Sequence, residues 1–365
     1  MKVAISADCF SAYTSGFPVR GMTLALIKGN PDVSFVLLYT KRSHSDALKY
    51  FYDEINSLPN VEVRYFKDGR RCIALKRMFT CHYVTIDDCD CFLNPGNIEY
   101  IRYFKGTQIC SLADLSTIKG LSTGKYATFY KYWNRLHYKI VLPKLTRIVT
   151  ISNYTRKDLL DFYPGLADKT LCIYNGIDSF WLDDTVNDVD YKALSIDAPY
   201  FVWWGLMSRR KNIYNLVTAY KRAKAQLPSL PKLLLVGKVA EHMAALTNEF
   251  DTNVINIPFQ DNYTIKSIVR NSRGLIFPSF YEGFGLPVIE AFSQGVGVAC
   301  SNVTSLPEIA DGRAILFNPN DVADMERAII DLHHAELDRD GLKNYASQFS
   351  YERAAEEYMK LIKSL

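Results

Sequence analysis

Short runs of apolar residues alternate with longer amphipathic stretches along most of the chain. The run Tyr-Phe-Val-Trp-Trp at 200–204 is apolar at every position, which is typical of a strand buried on both faces. Buried strands separated by helical stretches predict parallel sheets with helices on both sides. The predicted strands form two series: 3–6, 33–39, 61–65, 91–93, 107–110 and 147–151, then 200–204, 232–236, 253–257, 275–277, 296–300 and 314–317.

An acidic stretch with few structural signals, residues 182–190, separates the two series. We therefore predict an α/β protein with two doubly wound, Rossmann-like domains at 1–180 and 197–349, joined by a linker at 181–196. The tail at 350–365 has apolar residues at helical spacing, so we expect a terminal helix that packs back on the first domain. Ligands of such sheets bind beyond the carboxyl ends of the strands, which predicts a site in a cleft between facing domains.

Composition places the chain among ordinary globular proteins, with 365 residues, 48% hydrophobic and 22% charged. The apolar run at the start is too short for a signal peptide, and no stretch reaches the roughly 18 apolar residues of a membrane span. These features predict a cytoplasmic protein. The eight cysteines form no C-x-x-C pair, so we expect buried, reduced thiols.

Charge is distributed unevenly, because residues 1–178 hold 24 Lys and Arg against 16 Asp and Glu while the remainder is mildly acidic. A basic half favours an anionic partner, either nucleic acid or a membrane surface. No nucleic-acid-binding motif accompanies it, which favours the membrane. Residues 125–144 interleave cations with aromatic rings and could lie among lipid headgroups. The alternative, which we favour slightly, is that these rings pack in the core while the opposite face is solvated.

Two carboxylates flank a glycine-containing turn in the segment 278–291, here called the carboxylate turn. Glu282 precedes the pair Gly283 and Gly285, and Glu290 follows in a helix that begins near Pro287. A helix N-terminus with close backbone approach can bind phosphate, and carboxylates can bind hydroxyls. The pattern favours a binding site for a sugar nucleotide. The alternative is that the two carboxylates lie at the surface and merely stabilise the helix.

A basic turn at 205–212 follows the strand 200–204 directly. Lys211 supplies a compact charge, and Arg209 or Arg210 supplies a planar fork, both suited to a diphosphate. A solvated basic turn is the alternative. The position of this turn at a strand end, opposite the carboxylate turn, favours phosphate binding.

Weaker signals lie elsewhere. The loop at 13–21 contains Gly16, which could approach a phosphate or form a plain turn. Asp114 follows a strand and either faces the cleft or caps a helix. Two D-x-D patterns, at 88–90 and 338–340, are better explained as a polar turn and a helix end. No histidine spacing indicates a metal site, so we predict neither metal nor cofactor.

Taken together, these motifs resemble the retaining family-4 glycosyltransferases of the GT-B fold. The E-x7-E signature corresponds to Glu282 and Glu290 within Pro-Ser-Phe-Tyr-Glu-Gly-Phe-Gly-Leu-Pro-Val-Ile-Glu-Ala at 278–291. Further similarity lies at 151–152, 174–178, 210–212 and 301–308. It extends over nearly the whole chain and is densest at 150–320.

The resemblance implies a donor site in the second domain. Glu290 would hold the ribose hydroxyls, and Glu282 the sugar hydroxyls. Lys211 would balance the diphosphate charge, assisted by Arg210. The backbone of Gly283, Phe284, Gly285 and Leu286 would contact the sugar and the distal phosphate. Gly16 would approach the phosphates from the other domain. The base would lie near Gly237, Lys238 and Phe259.

Two positions depart from the family pattern. Ala113 replaces the histidine that many members carry before Asp114, and Leu206 replaces an arginine after Gly205. Asp114 is therefore expected to take more of the acceptor contact, which makes Lys211, Glu282 and Asp114 the predicted catalytic set.

By the same resemblance we expect metal-independent hexose transfer from a nucleotide sugar, first GDP-mannose and second a UDP-hexose. The expected acceptor is a glycan or lipid-linked glycan in cell-surface polysaccharide assembly, at the inner face of the cell membrane. A non-catalytic sugar-nucleotide binder and a membrane scaffold remain the alternatives. The oligomeric state is left open.

Overall fold

A computed structural model describes the chain except for residues 8–9, 11–15, 41–48, 67–85, 97, 102–103, 122–125, 186–188, 190, 193, 195 and 197–198. It divides into two compact units. The first consists of Met1–Asp178 together with Ser350–Leu365, and the second of Ser179–Phe349.

The first unit is built on a seven-stranded parallel sheet of order β3-β2-β1-β4-β5-β6-β7. Its described elements are β1 Lys2–Ser6, α1 Gly16–Lys28, β2 Ser34–Thr40, α2 Lys49–Asn56, β3 Val61–Phe66, β4 Cys91–Asn94, β5 Thr107–Leu112, α3 Ser116–Lys119, α4 Ala127–Val141, β6 Arg147–Thr150, α5 Asn153–Phe162 and β7 Thr170–Cys172, with the C-terminal helix α13 Tyr351–Lys363. Strand residues such as Val3, Ile5 and Leu37 are fully buried, as their apolar runs predict.

The terminal helix α13 completes the core of this unit. Ser350 Oγ accepts a hydrogen bond from the backbone N–H of Arg353, which caps the helix at the predicted residue. Tyr358, Met359 and Ile362 are buried in the same core cluster as the strands. A Cβ atom at Gly21 of α1 would lie 2.0 Å from the Tyr351 ring, so glycine permits this close packing.

The second unit is built on a six-stranded parallel sheet of order β10-β9-β8-β11-β12-β13. Its described elements are α6 Ser179–Leu182, β8 Tyr200–Trp204, α7 Ile213–Gln226, β9 Lys232–Val236, β10 Val254–Ile257, α8 Asn262–Arg270, β11 Gly274–Phe277, α9 Leu286–Ser293, β12 Val298–Ser301, α10 Leu306–Ala310, β13 Ile315–Phe317, α11 Val322–His334 and α12 Arg339–Ala346.

Residues 181–196, predicted as a linker, are grouped with the second unit. Lys266 is only 1% exposed, and its Nζ donates to the carbonyl oxygen of Phe180 and, at 2.6 Å, to Asp183 Oδ1. Gln294 Nε2 also donates to the carbonyl oxygen of Trp181 at 2.6 Å. These contacts fix the start of the segment against α8 and α9.

The cysteines within the described residues are free thiols. Cys89, Cys91, Cys110 and Cys300 are buried, and Cys172 is half-buried. The prediction of buried, reduced thiols is confirmed for those four, whereas Cys9, Cys72 and Cys81 lie outside the described residues. Among the described residues, no helix has both the length and the apolar character needed to cross a bilayer.

Candidate functional site

Two neighbouring strands of the second sheet bring the basic turn and the carboxylate turn together. Strand β8 ends at Trp204 before the basic turn, and β11 ends at Phe277 before the carboxylate turn. The two strands pair in parallel, with Leu275 opposite Val202. Strand order reverses between β8 and β11, because β8 pairs on its other side with β9. Doubly wound sheets bind ligands at such a switch point.

Lys211 and Glu282 form an ion pair at this switch point. Lys211 Nζ lies 2.6 Å from Glu282 Oε1, and Arg210 Nη1 lies 3.1 Å from Glu282 Oε2. The Lys211 and Glu282 side chains are 17% and 11% exposed. Arg210 also donates to the carbonyl oxygen of Tyr281 at 2.6 Å. Three of the predicted donor-site side chains therefore converge.

The charge state of Glu282 follows from these neighbours. Burial acts to raise the pKa of this carboxyl group, whereas the charges of Lys211 and Arg210 and the hydrogen bond from Lys211 lower it. The net effect is a pKa below the ordinary value of glutamate. Glu282 is therefore ionised at neutral pH, and its negative charge offsets one of the two positive charges of Lys211 and Arg210.

The loop after β12 holds the carboxylate turn in shape. Ser305 is fully buried, and its Oγ lies 3.0 Å from the carbonyl oxygen of Glu282 and 2.8 Å from that of Phe284. The backbone N–H of Glu282 donates to Thr304 Oγ1 at 3.2 Å, and Thr304 has a φ of 59°. The similarity at 301–308 was visible in the sequence, but this supporting role was not.

The helix α9 begins directly after the carboxylate turn. Gly285 precedes it with a φ of 107°, and a Cβ at this position would lie 2.6 Å from Leu306 Cδ2. Both facts require glycine. The helix begins at Leu286, one residue before the predicted Pro287. Glu290 is half-buried at its fifth position. The predicted phosphate-binding turn is thus part of a tightly packed strand–turn–helix unit.

Asn212 ties the two turns to each other. It has a φ of 59° and is 4% exposed. Its Nδ2 donates to the carbonyl oxygen of Pro278 at 3.1 Å and to that of Pro319 at 2.8 Å. Because asparagine tolerates this left-handed conformation, it ends the 3-10 turn Arg209–Lys211 and starts α7. Sequence reasoning noted this residue only as part of a motif.

The residues predicted to contact the base follow the next two strands. Gly237 has a φ of 144°, and a Cβ there would lie 1.9 Å from the carbonyl oxygen of Gly205. Its neighbour Lys238 is exposed, and the Lys238 carbonyl accepts from Met207 N–H at 2.9 Å. Phe259 follows β10 and is 45% exposed. Gly237 thus lies beside the end of β8 at the switch point, and Phe259 follows a strand further along the sheet. The role of all three residues toward a base stays a prediction.

Two predicted site residues belong to the first unit. Asp114 Oδ1 accepts from the backbone N–H of Ser116 at 2.8 Å and from its hydroxyl at 2.5 Å. The Asp114 side chain thus supports the start of α3, but the N-cap residue is Leu115 and not Asp114. Gly16 is the first residue of α1, and the loop 11–15 before it lies outside the described residues.

A carboxylate that the sequence reasoning missed lies at the switch point of the first sheet, between β1 and β4. Asn94 Nδ2 donates to Glu99 Oε2 at 2.6 Å, and Ser6 Oγ donates to the same oxygen at 3.2 Å. Ser6 and Asn94 are the last residues of their strands. The strand β4 was predicted, but no motif singled out Glu99.

The D-x-D residues have local structural roles. Asp88 pairs with Lys2 at 2.6 Å and with Arg64 at 2.7 Å, and Asp338 caps α12 through the Gly341 N–H at 2.9 Å. Within the part of the chain that the structure describes, no three His, Cys, Asp or Glu side chains are grouped as metal ligands would be.

The segment 125–144 departs from the favoured expectation. Residues 127–141 form α4, and Phe129, Tyr130 and Tyr132 are between 52% and 62% exposed. The expectation that these rings pack in the core is wrong for them, because the side of α4 facing the core is occupied by other residues, including Tyr138 and Val141.

A sequence comparison finds similarity between the second unit and a known family. Residues 191–349 match the model of a known family, Glycosyl transferases group 1. The second unit is therefore similar to the group 1 glycosyl transferases. The switch-point site, with Lys211, Glu282 and α9, lies wholly within the matched residues.

Curated relatives of this chain include two proteins of Escherichia coli. O-antigen chain mannosyltransferase B is 28% identical over 247 residues, covering 63% of this chain and 63% of the relative. Serotype-specific mannosyltransferase WbdA is 27% identical over 198 residues, covering 50% of this chain and 24% of the relative. The chain therefore spans less than two thirds of the length of either protein.

Solved structures share the fold of the whole chain. Anabaena Alr3699/HepE, solved with UDP, has a TM-score of 0.72 at 16% identity and is covered completely, as is this chain. Sucrose-phosphate synthase of Thermosynechococcus elongatus has a TM-score of 0.73 at 17% identity, covering 100% of this chain and 98% of that protein. The two parallel α/β units thus have the GT-B fold predicted from the sequence.

Proposed function

We propose that the protein is a retaining, metal-independent glycosyltransferase that transfers a hexose, in the first instance mannose, from a nucleotide diphosphate sugar. The acceptor would be a glycan or lipid-linked glycan in the assembly of a cell-surface polysaccharide. The observation that carries this proposal is the convergence of Lys211, Arg210 and Glu282 at the start of α9. The mannosyltransferase names of the two bacterial relatives support mannose.

The charges of the site suit a diphosphate leaving group. When the bond between the anomeric carbon and the phosphate oxygen breaks, its electron pair passes to that oxygen and negative charge grows there. Lys211 and Arg210 would stabilise this charge together with the amides of α9, and such preorganised groups often contribute the largest part of catalysis. Glu282 would then bind hydroxyls of the transferred sugar, and Glu290 would bind the ribose.

Retention of the anomeric configuration would follow if the acceptor attacks the same face of the sugar ring from which the leaving group departs. The acceptor oxygen forms the new bond to the anomeric carbon, and its proton passes to the phosphate oxygen that has just been released. This route needs no protein base next to the anomeric carbon and no metal ion. The cationic side chains supply the charge stabilisation instead.

The first unit offers two carboxylates for the acceptor. Asp114 was predicted for this role, and its side chain also supports the start of α3 through Ser116. Glu99, held by Asn94 and Ser6 at the first switch point, is our second candidate. An ionised carboxylate there would accept hydrogen bonds from sugar hydroxyls.

A panel of nucleotide sugars tests the donor. Ligands that bind the folded state raise its melting temperature according to their affinity, so GDP-mannose should give the largest shift, UDP-hexoses a smaller one and ATP none. Incubation of labelled GDP-mannose with lipid-linked glycans should then yield a product with retained anomeric configuration, unchanged by EDTA. Binding without transfer or hydrolysis would favour the sugar-nucleotide binder, and no shift with any nucleotide sugar would contradict both readings.

A further inference from the structure

Helix α4 and the residue before it carry an unusual concentration of exposed apolar side chains, here called the aromatic face. Of the 16 large apolar or aromatic side chains that are exposed among the described residues, five lie within the eleven positions 126–136. They are Tyr126, Phe129, Tyr130, Tyr132 and Leu136, and they are between 46% and 62% exposed.

The aromatic face points away from the core of its own unit. Phe129, Tyr132 and Leu136 follow each other at intervals of three and four residues, so they share one side of the helix. On the opposite side, Tyr138 packs against the core cluster of the unit, and Val141 is fully buried within it. The helix is therefore anchored to the unit along one side and presents its rings on the other.

The surroundings of the aromatic face carry positive charge. Between Asp114 and Asp158 the sequence contains nine Lys and Arg residues and no acidic residue. Lys139, three positions after Leu136, is exposed, and so is Lys144. The aromatic face is therefore an apolar surface with cations beside it, and the sequence between Asp114 and Asp158 adds no carboxylate.

We propose that the aromatic face binds the surface of a bilayer containing anionic lipids. Tyrosine rings are stable at the boundary between headgroups and acyl chains, because the ring is apolar and the hydroxyl is polar. Lys139 and Lys144 would contact lipid phosphates. A second copy of this chain is a poorer partner, because two-fold pairing of the same face would bring its cations together.

Vesicle sedimentation of the full chain tests this surface and requires no nucleotide sugar, so its outcome is separate from the proposed transfer reaction. The protein should sediment with vesicles of phosphatidylcholine and phosphatidylglycerol in equal parts, and not with phosphatidylcholine alone. High salt should weaken the binding, because it screens the lysines.

Matched variants locate the contact. Phe129→Ser combined with Tyr132→Ser, and separately Lys139→Glu, should each weaken vesicle binding by roughly tenfold. Tyr50→Ser and Lys105→Glu alter an exposed ring and an exposed lysine elsewhere in the first unit, and should leave binding unchanged. Melting temperatures would verify that every variant is folded.

Two results would overturn the proposal. One is binding to anionic vesicles that the aromatic-face variants leave at the wild-type level. The other is an absence of vesicle binding at low salt. If the wild type is then self-associated and the same variants convert it to monomer, the face is assigned to a second copy.

Discussion

Lys211 and Glu282 stand 71 residues apart in the sequence, and their charged groups meet at 2.6 Å in a largely buried position. The relationship is a consequence of strand order, because each residue follows one of two adjacent strands, β8 and β11. The carboxylate neutralises a cation that burial would otherwise destabilise. A bound diphosphate would present the same ammonium group with a second anionic partner.

Replacing Lys211 with alanine should slow turnover by roughly 10²- to 10³-fold, because the charge that opposes the leaving phosphate is removed. The measurement is kcat under saturating donor and acceptor. Lys221→Ala removes a lysine of the same unit that pairs with Glu249 on an exposed surface, and it should retain wild-type turnover. A Lys211→Ala enzyme within a few-fold of wild type would disprove the phosphate role.

The Glu282 carboxyl group should make stability depend on pH. Its pKa is lower in the folded chain than its ordinary value of 4.5, so its contribution is complete above that pH and is lost as pH falls through the lowered pKa. Glu282→Gln should reduce the free energy of unfolding at pH 7 by about 3 kcal/mol, since Lys211 and Arg210 lose their anion. The difference from wild type, measured by urea unfolding, should shrink on acidification.

Glu249→Gln provides the comparison for Glu282. Its carboxylate is paired at the surface, with the side chain 48% exposed, so the substitution should change stability little at any pH. A Glu282→Gln deficit that remains constant down to acid denaturation would contradict the assigned direction of the pKa shift.

Ser305→Ala should impair donor use as well as stability. The substitution removes the hydroxyl next to the carbonyl oxygens of Glu282 and Phe284, which should cost about 1 to 2 kcal/mol and loosen the carboxylate turn. We expect the KM for donor to rise roughly tenfold. Ser272→Ala removes another buried hydroxyl that donates to a carbonyl, at 2.7 Å, and should cost similar stability while leaving that KM unchanged. Equal donor KM values in the two variants would reject the positioning role.

Gly285→Ala should destabilise the second unit for two separable reasons. The positive φ costs about 1 to 2 kcal/mol for a residue with a Cβ, and the contact with Leu306 adds to it. Gly312 has a φ of 75° but nothing within 4 Å of its Cβ position, so Gly312→Ala measures the backbone cost alone. Thermal unfolding should show the larger loss for Gly285→Ala. Equal losses would mean that the turn adjusts without cost.

Glu99→Gln should raise the KM for acceptor by roughly tenfold and leave the KM for donor unchanged, because a charged acceptor of hydrogen bonds becomes neutral. Initial rates with each substrate varied in turn provide the measurement. Glu54→Gln changes an exposed carboxylate of the same unit, paired with Lys28, and should leave both constants unchanged. A rise in the donor KM alone would place Glu99 outside the acceptor site.

Much of the fold could be predicted from the apolar runs. Strands such as 200–204 and 232–236 coincide with β8 and β9, because each residue in them is buried or nearly so and the pattern is unambiguous. Strand β7, Thr170–Cys172, was missed, since three residues at the edge of a sheet leave no periodic signal.

Only part of the candidate site could be predicted from the sequence. Lys211 and Glu282 could be predicted because each follows a recognisable strand and belongs to a motif. Ser305 and Asn212 could not be assigned their roles, because what matters is which carbonyl oxygens their side chains reach in the folded chain. For Phe129 and Tyr132 the aromatic pattern was clear, whereas the direction that the rings take depends on which side of α4 packs inward.

The return of α13 to the first unit has a consequence for how the protein is made. Residues 1–178 leave the ribosome long before Tyr358, Met359 and Ile362, which share a core cluster with β1 and α1. The second unit, whose segments are contiguous, can finish folding while the earlier one still lacks part of its interior. A chain that terminates before Ser350 would therefore leave an apolar gap in its amino-terminal half, where chaperones or proteases would recognise it.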